Sequence, residues 1–146
     1  MRVTYPRRLL DRFKREAKRI FPKEAYAVLL GHRNGDSVRV THLYIPYNQE
    51  RLSKETSIPY ANSWLQQARL EAIPEGLDVL GDCHSHTATS AWEQDTAPSA
   101  QDWDRSLQIK SAIHGICSIR RYPSGRMIAR TRFWPTHQNV TERILD

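Results

Sequence analysis

Residues 80–102, LGDCHSHTATSAWEQDTAPSAQD, decide how the rest of the chain is read. The residues just before the first histidine, from Asp78 to Cys83, read as a short buried strand. Side chains on a strand alternate between faces, so His84 and His86 point the same way. Two imidazoles on one face suit a single metal ion. A carboxylate from further on would complete three protein ligands, leaving one position of a tetrahedral zinc for water, the layout of a catalytic site. Asp102, in Pro98-Ser99-Ala100-Gln101-Asp102, is one candidate for that carboxylate, and Asp95 is another. Asp102 also has a structural reading. Ser99-x-x-Asp102 ahead of an apolar run is a capping-box start, with Ser99 as the N-cap. The two readings are compatible, because a carboxylate in a first helical turn has a fixed direction.

Working back from this stretch, Ala25 to Leu30 is a nearly continuous apolar run, short enough for a buried strand. Asn34-Gly35 marks a hairpin, and Val38 to Ile45 alternates as its second strand. Residues 49–58 read as a polar loop. Pro59 to Ala72 reads as a helix with Trp64, Leu65, Ala68 and Ala72 on one side. Working forward, Ser99 to Lys110 is a second amphipathic helix, with Trp103, Ser106 and Leu107 facing inward. Ile113 to Ile119 and Met127 to Trp134 are strands joined by the turn at Tyr122-Pro123-Ser124-Gly125. The tail after Pro135 is polar and reads as a mobile end. At the start, Leu9, Leu10, Phe13, Ala17 and Ile20 recur at helical spacing between Pro6 and Pro22. The order helix, hairpin, helix, strand, helix, hairpin predicts an α/β sandwich, a mixed sheet flanked by helices, as a single domain over residues 1–146.

The chain of 146 residues is large enough for a real core. It shows no signal-type apolar run and no segment long enough to span a bilayer, so a soluble, cytoplasmic protein is expected. Cys83 and Cys117, its two cysteines, are expected to be free thiols. Cys83 should point away from His84, into the core. His32, His42, His114 and His137 are scattered and read as structural or exposed. The net charge of +6 is carried wholly by residues 1–20, which hold eight basic side chains against Asp11 and Glu16. The basic face of the first helix is either a solvated surface or a docking face for an acidic partner. No aromatic residues interleave its charges, which argues against a strand-stacking nucleic-acid surface.

A hydrolytic zinc site also requires a base to take and relay the proton of the attacking water. Glu24, beside Pro22 at the entrance to the apolar strand, is the candidate, with an exposed helix–strand junction as its structural alternative. The Ser99 hydroxyl is placed to donate to the oxyanion of a tetrahedral intermediate.

Taken together, these residues resemble the JAMM (MPN-plus) metalloproteases. That signature runs Glu at the head of the first strand, then His-x-His, then Ser-x-x-Asp. Here it reads Glu24 before Ala25-Tyr26-Ala27-Val28-Leu29-Leu30-Gly31, then His84-Ser85-His86, then Ser99-Ala100-Gln101-Asp102. The resemblance runs from about Arg7 to about Trp134. It implies the MPN, cytidine-deaminase-like fold, with His84, His86 and Asp102 binding Zn²⁺, Glu24 as general acid and base, and Ser99 stabilising the intermediate. It further implies hydrolysis of a peptide or isopeptide bond, often after the C-terminal glycine of a ubiquitin-like protein. Three departures stand out. Thr87 replaces the usual Pro, Ala27 replaces a common Gly, and the interval from His86 to Asp102 is about five residues longer than usual. That interval, Thr87 to Pro98, reads as a tolerated surface insertion or as a substrate-gripping loop carrying Trp92, Glu93 and Asp95. Three function classes follow: a zinc peptidase or isopeptidase, a non-catalytic scaffold of the same fold docking a protein through residues 7–20, and a nucleic-acid module resting only on the basic helix.

Overall fold

The computed structural model describes residues 1–55, 57–87, 96–135 and 141–145. The elements in chain order are β1 (Arg2–Pro6), α1 (Arg7–Ile20), β2 (Tyr26–Asn34), β3 (Ser37–Tyr44) and α2 (Gln49–Leu52). They continue with α3 (Ala61–Ala72), β4 (Asp78–His86), α4 (Ala100–Gln108), β5 (Ile113–Arg121), β6 (Met127–Pro135) and β7 (Thr141–Leu145). All seven strands form one sheet in the order β6-β5-β4-β2-β3-β1-β7. β1 runs parallel to β3 and β7, and β4 parallel to β5, while the β2–β3, β2–β4 and β5–β6 pairs are antiparallel. This is the expected mixed α/β sandwich, with three elements the sequence reading did not contain: β1, α2 and β7.

The apolar run of β2 is explained by a helix layer on each side of the sheet. Ala25, Ala27 and Leu29 share a core with Leu9, Phe13, Ala17 and Ile20 of α1. Tyr26, Val28 and Leu30 face Ala61, Trp64, Leu65, Ala68 and Ala72 of α3. A strand covered on both faces has no polar alternation. Burying the large apolar side chains of α1 contributes roughly 1.5–3 kcal/mol each, which outweighs the absence of a side-chain cap at the helix start. The basic side chains of α1 lie on its outer side, with Arg7, Arg8, Arg12, Arg15 and Arg19 exposed. Cys83 packs in the α1 core, as strand alternation from His84 requires, and both cysteines are free and buried.

The sequence reading is corrected at several points. Pro6 ends β1 and caps α1 rather than opening the helix. Residues 49–52 form one helical turn because the Gln49 side chain is drawn inward, its Oε1 accepting from the Tyr26 amide at 2.7 Å. The tail is not wholly irregular, since β7 pairs in register with β1. Leu107 is 52% exposed, so the inner side of α4 is carried by Ser106 and not by Leu107. Trp92, Glu93 and Asp95, like His137, lie outside the described residues. Among the described residues no helix is long and apolar enough to cross a membrane.

Candidate metal centre

The parallel pair β4–β5 requires a crossover, and α4 supplies it. The chain leaves the carboxyl end of β4 and returns along α4, which brings the first turn of α4 to the strand end bearing the histidines. In open α/β sheets, ligands gather at the carboxyl ends of strands. His84 pairs across the sheet with Tyr26, so it sits on the α3 face, and His86 is two residues further along the same face.

Asp102 meets both rings. His84 Nε2 is 3.1 Å from Asp102 Oδ1, His86 Nε2 is 3.4 Å from Asp102 Oδ2, and the two Nε2 atoms are 3.1 Å apart. Bonds of about 2.05 Å at tetrahedral angles put neighbouring ligand atoms about 3.3 Å apart. The two Nε2 atoms lie near that spacing from one another, and each lies near it from one oxygen of Asp102, Oδ1 for His84 and Oδ2 for His86, so the three residues fit a metal ion. The side chains are 13%, 22% and 15% exposed, buried enough to be held and open enough to be reached.

The aspartate is fixed from behind. Its Oδ2 accepts from the Ser99 amide at 2.7 Å, and the Asp102 amide donates to Ser99 Oγ at 3.1 Å, the reciprocal capping box. The capping-box reading of Ser-x-x-Asp holds, and the same carboxylate lies against both histidines. Ser99 Oγ accepts in this bond, so its own O–H proton remains available for donation.

The electrostatics follow from the packing. Burial alone would push the Asp102 carboxyl up, but bonds from His84 and His86, with the Ser99 amide, hold it well below the ordinary carboxylate range. Burial works against a proton on His84, yet Asp102, with smaller help from Asp82 and Glu24, leaves it raised. Glu24 borders the same cleft, and its amide donates to the Lys54 carbonyl at 2.8 Å. Burial raises its pKa above the carboxylate value, and the neighbouring His84 and His86 temper the rise.

The cleft, of about 380 Å³, is bordered by Glu24, His84, His86, Ser99 and Asp102. All five residues singled out in the sequence therefore share one cleft. Asp95, the alternative ligand, lies outside the described residues. Thr87, in place of the usual Pro, donates its hydroxyl to the Glu55 carbonyl at 3.3 Å. Sequence reasoning missed Tyr26, Asp82 and Arg105, which form a bonded group in the same wall. The available signal was period: Asp82 is two residues before His84, and Arg105 is one helical turn after Asp102.

Comparison with known proteins gives the family and the fold. The profile of prokaryotic homologs of the JAB domain matches residues 6–137, and the chain belongs to that family. Its fold is similar to the solution structure of a Desulfitobacterium hafniense protein, with a TM-score of 0.62 and 19% identity over 98% of this chain and 94% of that one. It is also similar to the crystal structure of a JAB1/MPN domain protein from Archaeoglobus fulgidus, with a TM-score of 0.56 and 19% identity over the whole of both chains. No curated protein matches the sequence.

Proposed function

We propose that this chain is a zinc-dependent metallopeptidase that hydrolyses a peptide or isopeptide bond, with the bond after the terminal glycine of a ubiquitin-like protein as the substrate class to test first. The observation that carries the reading is the convergence of two imidazole nitrogens and a carboxylate, within 4.8 Å of one another, in an open cleft. His84, His86 and Asp102 would hold the ion. Zn²⁺, when bound, acidifies water and polarises a carbonyl.

The chain's own groups supply the rest. Glu24, whose pKa burial raises, takes a proton from the attacking water and delivers it to the leaving amine. The Ser99 hydroxyl donates to the oxygen that gains charge as the carbonyl becomes tetrahedral. The free, buried thiols Cys83 and Cys117 suit a reducing, cytoplasmic setting.

Elemental analysis should find about one zinc per wild-type chain and a large loss in His84→Ala. Wild type should cleave tagged ubiquitin-like fusions, and Glu24→Gln should not. Equal, near-zero metal in both proteins ends the zinc reading, and cleavage that survives Glu24→Gln ends the assigned base.

A second role has its own observation. The exposed arginines of α1 lie across the sheet from the cleft, so an acidic protein partner bound there leaves the cleft open. This is the scaffold reading, and it is compatible with catalysis. Reversing Arg8, Arg12 and Arg15 to Glu should abolish salt-sensitive capture of that partner while leaving zinc content unchanged. Steep salt dependence of DNA binding would instead favour nucleic acid.

A further inference from the structure

The cleft has a second polar wall whose purpose the metal site does not explain. Asp82 is 4% exposed. Its Oδ2 accepts from the Tyr26 hydroxyl at 3.0 Å and from Arg105 Nε at 2.9 Å. Arg105 Nη2 donates to the Tyr26 oxygen at 3.3 Å, and Nη1 to Asn62 Oδ1 at 2.6 Å. The guanidinium is thus pinned from three sides, with its side chain 27% exposed on the cleft wall. Among the described residues, three of its five N–H bonds are engaged in this way, leaving two.

Stability does not account for this group. A buried ion pair returns little more than the desolvation it costs, and an apolar pair would join β4 to α4 as well. A planar guanidinium already held in place loses little freedom when it grips a carboxylate with two parallel bonds. Position fixes what it meets. Arg105 is three residues after Asp102, so their side chains emerge about 5–6 Å apart on one helix face. An extended chain advances about 3.3 Å per residue. A substrate with its scissile carbonyl at the histidines brings a group one or two residues away to Arg105.

We propose that Arg105, anchored by Asp82 and Tyr26, is a specificity-determining residue that pairs with a substrate carboxylate one or two residues from the scissile bond. This rests on the hydrolase reading. The carboxylate comes from an Asp or Glu side chain or from a free chain terminus, and the two sources are separable.

The experiment uses the full chain carrying Glu24→Gln, so that binding is read without turnover. The probes are acetylated Gly/Ala hexapeptides with one Glu or Gln scanned through each position, each made with an amidated and with a free C-terminus. Binding is measured by titration calorimetry. The expected result is about tenfold tighter binding for an acid at one position, or for the free terminus, over its neutral counterpart. Arg105→Gln should bring that ratio to about one, and Arg105→Lys should restore part of it. Because Arg105→Gln strands the buried Asp82, the pair Asp82→Asn with Arg105→Gln serves as a second variant and should lose the preference equally. Equal binding of acidic and neutral peptides, no binding at all, or a preference that survives Arg105→Gln overturns the proposal. Zinc-loaded wild type that cleaves peptides without acid preference overturns it while leaving the hydrolase standing. Arg105-dependent acid binding with no cleavage by zinc-loaded wild type removes the hydrolase and keeps the carboxylate site.

Discussion

Ser85 and Ala25 are joined by two reciprocal hydrogen bonds: the Ala25 amide donates to Ser85 Oγ at 2.7 Å, and the Ser85 amide donates to the Ala25 carbonyl at 3.0 Å. Ser85 lies between the two histidines and Ala25 follows Glu24, so this clasp sets the proposed base against the metal ligands. Both residues are fully buried. Ser85→Ala leaves the Ala25 amide with no partner, which costs about 1–3 kcal/mol. The expected outcome is a lowered melting temperature, a fall in kcat larger than the fall in zinc affinity, and partial rescue by Ser85→Thr. Unchanged kcat in a folded Ser85→Ala protein would show that Glu24 is positioned by other contacts.

Ser99 is asked to do two things, and they can be separated from those of Asp102. Ser99→Ala removes the N-cap of α4, at about 0.5–2 kcal/mol, and the proposed donor to the developing oxyanion, at about 10²–10³ in kcat. Ser99→Thr keeps both hydroxyl roles and should stay close to wild type in melting and rate. Asp102→Asn keeps an acceptor for the Ser99 amide, so the helix start survives while the charge is lost. Zinc content should then drop at least tenfold with little change in the metal-free melting temperature. A metal-free Asp102→Asn protein that melts far lower would mean that the carboxylate matters chiefly to the fold.

What the sequence made legible was whatever repeats locally. The apolar spacing of α1, the Asn34-Gly35 hairpin and the Ser99 cap are each written within a few neighbouring residues, and each lies where it was expected. β1 escaped because it is five residues long with only Val3 and Tyr5 inward, and its partners β3 and β7 are distant in sequence. α2 escaped because the residue that fixes it is Gln49, a polar side chain buried to satisfy the β2 backbone, which hydropathy does not register. The Asp82–Arg105 pair was invisible for a related reason. Each partner is an ordinary charged residue until β4 and α4 face one another. The histidines and Asp102 were legible from their motif, but their shared geometry rests on the crossover and not on spacing alone.

Gly81 should tolerate no side chain. It lies in β4 where the β2–β4 register shifts, has a φ of +154°, and a Cβ there would come within 1.7 Å of the Ile113 carbonyl oxygen. That oxygen belongs to the neighbouring strand β5, so relief requires the strands to part just before Asp82 and His84. Gly81→Ala is expected to cost about 3 kcal/mol or more, read as a large fall in denaturation midpoint, with zinc binding weakened along with it. A stability within about 0.5 kcal/mol of wild type would mean that β5 moves aside freely.

His114 predicts the acid limb of stability. It is 2% exposed on β5, with Nδ1 2.8 Å from Ser106 Oγ and the Trp103 ring edge-on at 4.9 Å. Its Nε2 is buried without a hydrogen-bond partner among the described residues. Burial lowers its pKa to about 4, with Asp82 opposing. The unfolded chain holds a proton on this ring below about 6.5, whereas the folded chain refuses it until about 4. Between those values the unfolded state binds more protons, so stability falls as pH falls through this window and levels off below it. The loss from this one group is at most about 3 kcal/mol, reduced by whatever water reaches the ring. In metal-free protein, denaturation midpoints of wild type and His114→Gln should differ in slope between pH 6.5 and 4 and run parallel above it. The difference between the two curves isolates His114 from His84 and Asp102, which titrate in both proteins. Parallel curves across the whole range would mean that the folded ring accepts a proton as readily as the unfolded one.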